Sequence, residues 1–189
     1  MGFLKKLFGN VEKANKGEIP AEEIVPPFTV DLVEEADDYW RQMEQNLLIN
    51  AVKGVGGPEA VERAFVLTNF KENQETFELF YQVNGQLLLW REMDATVVDK
   101  ISNQLLPQAA EVARAVNENY EEANVPVIQY AMLQFETATM AWFGRKLTTA
   151  SPEAQLTFEE LVSGWRAILE QEVPNRLLDS DRPFPYFEV

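Results

Sequence analysis

Apolar positions along the chain switch between two periods, and the switches predict its elements. Residues 31–53 place Leu32, Val33, Ala36, Tyr39, Trp40, Met43, Leu47 and Leu48 at helical spacing. Asp31 is the expected cap, with Glu34 three residues on and acids in the first turns, where a helix dipole favours them. Gly54-Val-Gly-Gly-Pro58 ends that helix. Arg63 to Phe70, Thr76 to Val83 and Gln86 to Glu92 then read as strands. Asp94 to Glu122 returns to the helical period through Val97, Val98, Ile101, Leu105, Ala109, Val112, Ala113 and Val116. Pro107 interrupts it, which predicts a kink or two shorter helices. Val127 to Thr137 and Met140 to Thr148 read as two more strands. Thr157-Phe-Glu-Glu160 is a capping box that opens a helix to about Glu172.

Asn84-Gly85 sets the register of the second and third strands. A two-residue type I′ turn needs positive φ at both central positions, and this pair supplies it. Pairing outward sets Val83 opposite Gln86, Tyr81 opposite Leu88, Phe80 opposite Leu89 and Leu79 opposite Trp90. One face then carries Phe77, Leu79, Tyr81, Val83, Leu88 and Trp90, a core face. The other carries Glu78, Phe80, Gln82, Leu87, Leu89 and Arg91, with Glu78 and Arg91 forming a cross-strand ion pair.

The order α-β-β-β-α-β-β-α, with strands joined largely by hairpins, predicts an α+β domain. Its antiparallel sheet has about five strands, with helices packed mainly on one face. Such a sheet should be polar on its other face. Yet Phe80, Leu87 and Leu89 lie there. The fourth strand is apolar on both sides, with Val127, Ala131, Leu133 and Phe135 on one and Ile128, Tyr130 and Met132 on the other. The second face therefore needs a cover: the tail, the N-terminal segment or a partner.

The flanks divide the chain further. Residues 1–17 pattern as a short amphipathic helix through Phe3, Leu4, Leu7, Phe8 and Val11. Residues 18–28, with three prolines and three acids, form a linker. A single α+β domain spans 29–175, and 176–189 is a non-regular tail whose aromatics are expected to pack on the domain. No apolar run approaches the ~20 residues of a membrane span, and no secretory signal is apparent, which makes the cytoplasm the expected location.

Composition narrows the chemistry. The chain has no histidine and no cysteine, which removes imidazole bases, histidine and thiolate ligands, and thiol nucleophiles. Adjacent acids such as Glu22-Glu23 diverge by about 100° on a helix and share no site. Asp31, Glu34, Glu35 and Asp38 share helical spacing but read as a solvated face rather than a metal site. No phosphate-binding loop is present. The expectation is no catalysis, no metal and no cofactor; a carboxylate-only enzyme would need two acids converging in one cleft.

Net charge adds a partner. The total is −15, but residues 1–17 hold four lysines against one glutamate, a balance of +3. The remainder therefore carries −18, the difference between −15 and +3. A body this acidic repels nucleic acid and attracts basic proteins. The basic arm could touch anionic membrane; docking on the protein's own surface or disorder is preferred, and Lys6 departs from the myristoylation pattern.

The hairpin Phe77-Glu-Leu-Phe-Tyr81 with Leu87-Leu-Leu-Trp90, the long amphipathic helix and Tyr130-Ala-Met-Leu-Gln-Phe135 resemble the YezG-like bacterial immunity family over about residues 31–148. That resemblance implies a cytoplasmic antitoxin that binds and neutralises a nuclease toxin. The element order is also similar to the small acidic dimeric chaperones of type III secretion, which implies a homodimeric adaptor. The leading expectation is an acidic protein-binding domain, an immunity protein for a basic toxin. Expected partner contacts are Glu34, Glu35, Asp37, Asp38, Glu78, Phe80, Glu121 and Glu122. A chaperone-like homodimer and a peripheral membrane module are the alternatives.

Overall fold

The computed structural model describes residues 32–71, 76–175 and 183–186. Segments 1–17 and 18–28, the Asp31 cap and most of the tail lie outside the described residues. Helix α1 spans Leu32–Gly54. It stops where Gly56 and Gly57 take φ of 111° and 104°, a conformation open to glycine, and the Gly57 N–H closes on the Val52 carbonyl at 3.0 Å. Strands β1 (Arg63–Asn69), β2 (Thr76–Val83) and β3 (Gln86–Leu89) follow. The β2–β3 turn has the expected positive φ at Asn84 and Gly85, and pairs Val83 with Gln86 and Phe80 with Leu89. Strand β3 is shorter than predicted, because Trp90–Glu92 coils into a 3₁₀ turn. Arg91 reaches Glu78 from that turn rather than from a strand position, at 2.7 Å.

The long helical stretch is divided. Helix α2 (Ala95–Lys100) passes through a π-helical turn, Ile101–Leu105, into α3 (Leu106–Glu122). Pro107 has no N–H to donate and would press on the carbonyl four residues back. The wider π turn just ahead of it makes room there. Asn124, at φ 54°, ends α3, with the Val125 N–H on the Tyr120 carbonyl. Strands β4 (Ile128–Glu136) and β5 (Ala141–Thr148) follow, then α4 (Phe158–Glu172). The capping box forms as predicted: the Thr157 hydroxyl accepts from the Glu160 N–H and the Glu160 carboxylate accepts from the Thr157 N–H. Those bonds hold the Glu160 carboxyl below its ordinary range.

The strands form one antiparallel sheet in the order β3-β2-β1-β4-β5. Helices α1 and α3 pack on one face, where Trp40, Leu48, Ala113 and Val116 meet Val66, Leu79, Tyr81 and Leu133. The Tyr81 hydroxyl donates to the Ala51 carbonyl at 3.0 Å. The first turn of α1 departs from its predicted stripe, since Leu32 and Val33 are exposed.

The second face is covered by α4, which inserts Leu161, Trp165 and Leu169, with Val173 of the 3₁₀ turn that follows it, over Phe65, Leu67, Phe80, Tyr130 and Met132. Phe184 of the tail joins them, edge-on to Phe65 at 5.2 Å. The cover predicted from the tail, the N-terminal segment or a partner thus comes mainly from α4. One side assignment on β4 is also corrected. Ile128 shares the first face with Ala131 and Leu133, because a register shift between Ile128 and Tyr130 turns the strand by one position.

Candidate functional site

The antiparallel run of α1 and α3 brings the first turns of one beside the last turns of the other. The Tyr120 hydroxyl donates to Asp37 at 2.8 Å, and the Lys146 ammonium of β5 donates to both Asp37 and the Tyr120 oxygen at 2.7 Å. The Lys146 and Tyr120 bonds hold the Asp37 carboxyl below its ordinary value. Burial and the neighbouring carboxylate raise the Tyr120 phenol. This three-residue knot joins two helices to the sheet edge. Around it stand exposed Glu34, Glu35 and Asp38 on α1 and exposed Glu121 and Glu122 on α3. The fold therefore gathers five surface acids predicted as contacts from two distant stretches of sequence. Asp38 also meets Arg41 at 3.4 Å. Asp37 is the anchor of the cluster rather than one of its exposed charges.

The remaining two predicted contacts lie elsewhere. Phe80 is fully buried beneath α4, so it is core and presents nothing to a partner. Its place on the mixed face of the hairpin suggested exposure; the helix that covers that face comes 78 residues later, too far for the hairpin pattern to report. Glu78 is nearly buried and accepts from the Trp90 indole N–H at 2.7 Å and from Arg91. It is an internal acceptor.

Glu78 lines a cleft of about 920 Å³ together with Lys71, Arg91, Tyr130, Thr157 and Glu159. The two cations of that cleft are already held: Lys71 donates to the carbonyls of Ala154 and Leu156, and Arg91 to Glu78. Among the described residues no group of three or more acids is placed to hold a metal ion, and no helix is long and apolar enough to cross a membrane.

A feature that the sequence reading passed over lies midway along the α1–β5 seam. Glu44 is 7% exposed and occupies a core position, four residues after Trp40 and three before Leu47. Burial raises its carboxyl above the ordinary value, and the charge of Lys146 only partly opposes this. Its carboxylate lies against Gly144 of β5, where a β-carbon would collide with it. Two local signals were available: an acid inside an apolar stripe and a glycine inside a strand. On the opposite face, Arg63 is buried between Glu136 and Gln82, donating to the Gln82 side chain at 2.6 Å, with its guanidinium over the Phe184 ring.

No protein-family model matches the chain, and no curated protein matches its sequence.

Proposed function

We propose that this chain is a non-catalytic binding domain for a basic protein. In its finer form the reading is a bacterial cytoplasmic immunity protein that neutralises a basic toxin. The observation that carries it is the acidic end of the helical layer, where Glu34, Glu35, Asp38, Glu121 and Glu122 converge around the Asp37–Lys146–Tyr120 knot. The cations of the domain are largely engaged internally: Arg63 on Glu136, Arg91 on Glu78, Arg145 on Glu153, Lys146 on Asp37 and Arg166 on Glu170. The net negative charge is thus left to the surface acids, and such a field speeds encounter with a positive partner. Lack of histidine and cysteine supports a role without catalysis.

Affinity capture from the native cell, with mass spectrometry of what is retained, tests this. The tagged protein should retain a basic protein at low salt and release it as salt rises. The variant E34K/E35K/E121K/E122K should fail to retain it. If the captured protein is a toxin, adding the tagged protein should abolish its activity. Recovery of no basic protein, or equal recovery by the charge-reversed variant, overturns the reading.

A further inference from the structure

Strand β5 ends the sheet, so one side of its eight residues has no neighbouring strand among those described. Free edges invite pairing, and proteins commonly guard them with charged side chains that project outward. The charges of β5 are drawn back instead. The Lys146 ammonium is turned onto Asp37 and Tyr120, and the Arg145 guanidinium donates to Glu153 at 2.8 Å. At the start of the strand Met140 and Trp142 are 56% and 44% exposed, two of the four large apolar side chains most open to solvent among the described residues.

Side chains alternate along a strand, so Trp142, Gly144 and Lys146 share the face toward α1. Gly144 leaves a gap at the middle of that row, and the Glu44 carboxylate fills it. A buried carboxylate ordinarily has an ion-pair or hydrogen-bond partner. Neither kind of partner is present for Glu44 among the described residues. Lys146, the cation whose charge it feels, is committed to Asp37 and Tyr120. A cationic side chain would supply both the hydrogen bond and the neutralising charge that the Glu44 carboxylate lacks among the described residues, and the edge of β5 beside Gly144 is where one can arrive.

We propose that β5 is a docking edge for an extended basic segment of a protein partner. The segment adds a sixth strand and places a lysine or arginine opposite Gly144, with its charged head on Glu44 and its stem against Trp142. Residues directly opposite across a strand pair lie ~5 Å apart, which brings a long cationic side chain within reach of the carboxylate. The exposed indole adds a cation–π contact. The ladder supplies sequence-independent hydrogen bonds, and Glu44 supplies the selection for a basic residue. This inference rests on the reading that the partner is a basic protein, and it assigns a second surface, separate from the acidic end of α1 and α3.

The probe is a capped synthetic hexapeptide alternating threonine and lysine, titrated into the full-length protein at low salt and followed by backbone amide NMR and tryptophan fluorescence. A threonine–glutamate peptide is the control. The lysine peptide should shift the amides of Ala141 to Lys146 and change Trp142 emission, and the glutamate peptide should do neither. E44Q, which keeps the side-chain shape and removes the charge, should weaken lysine-peptide binding at least tenfold with an unchanged circular dichroism spectrum. W142A should weaken it less. Lysine-peptide shifts confined to Glu34, Glu35, Glu121 and Glu122, with E44Q without effect, overturn the docking edge while leaving the basic-partner reading intact. Equal behaviour of the two peptides, or binding of neither, overturns the docking edge, while the basic-partner reading falls only by the affinity capture described above.

Discussion

The two faces of the sheet are built differently, and the difference shows where this fold keeps its charges. The first face lies under two antiparallel helices, α1 and α3, and its core is largely aliphatic and aromatic. Its charged groups lie along the seam with β5: Asp37, satisfied by Lys146 and Tyr120, and Glu44, satisfied by nothing described. The second face lies under one helix and a short tail segment. Its aromatics meet edge-on or stacked, as in Phe65 with Trp165 and Trp165 with Tyr186. Its polar groups sit inside the layer: Arg63 with Glu136 and Gln82, and Gln134 with the backbone of Phe184. A single helix cannot cover the width of a five-stranded sheet, and polar residues with fixed partners close what α4 leaves open. There Arg63 answers one oxygen of the Glu136 carboxylate from the same sheet, while the other oxygen has no hydrogen-bond partner among the described residues. At Glu44 the partner is missing.

The largest test of this comparison is truncation of the main anchor on each face. Trp165→Ala on the second face should cost about 3–5 kcal/mol, and Leu48→Ala on the first about 2–5 kcal/mol. Both should lower the urea midpoint of one shared transition, because the two cores lie on opposite sides of the same strands. Separate transitions for the two faces would break the picture of a single cooperative sheet.

Arg63→Ala probes the buried pair. It leaves the Glu136 carboxylate buried and unmatched, at a cost of about 3–5 kcal/mol. Burial already holds the Glu136 carboxyl above its ordinary value against the opposing pull of Arg63. Adding Glu136→Ala to Arg63→Ala should recover part of the loss. A double-mutant cycle showing simple additivity would mean that the two side chains do not act as a pair.

Next in size is the amide clamp on the tail. The Gln134 side chain donates to the Phe184 carbonyl at 2.9 Å and accepts from its N–H at 2.6 Å, both buried. Gln134→Ala leaves those backbone groups unmatched and should cost about 1–3 kcal/mol. Limited proteolysis should then cut beyond the C-terminal end of α4 faster than in the parent, with cleavage elsewhere unchanged.

The smallest effect sharpens the contrast between the two carboxylates of α1 through pH. The folded Asp37 pKa is lowered, so its contribution is full above its ordinary value near 3.8 and is lost as pH falls through the folded value. Glu44 runs the other way. The folded state holds its proton more tightly than the unfolded state, so stability declines as pH rises from about 4.5 through the raised folded value. E44Q should remove part of that decline in urea unfolding measured across pH 4.5–7, and Asp37→Asn should not. An unchanged slope in E44Q would show that Glu44 is matched in solution by a group outside the described residues.

Much of the fold was legible because its elements carry strong local signals. Asn84-Gly85 placed the hairpin register, the Thr157–Glu160 box placed the start of α4, and Pro107 marked where the long helix changes its winding. The candidate site was only partly legible. The acids of α1 and α3 were visible as exposed charges, but their convergence depends on Tyr120 reaching Asp37 across 83 residues. Phe80 was misplaced because an apolar side chain on a mixed face looks the same whether a partner or a distant helix covers it. The Ile128 reversal was invisible because an unpaired residue in one strand leaves no mark on its composition.

Sequence alone determined the order of the elements, the antiparallel hairpin and the absence of imidazole and thiol chemistry. Each follows from residue type and from spacing within a few positions. Tertiary structure alone decided that α4 crosses to the second face, that the surface acids meet at one end of the helical layer, and that Glu44 rests on Gly144. Those outcomes depend on which distant segments share a surface. Local periodicity reports that a face is apolar, and the packing of the whole molecule selects what covers it.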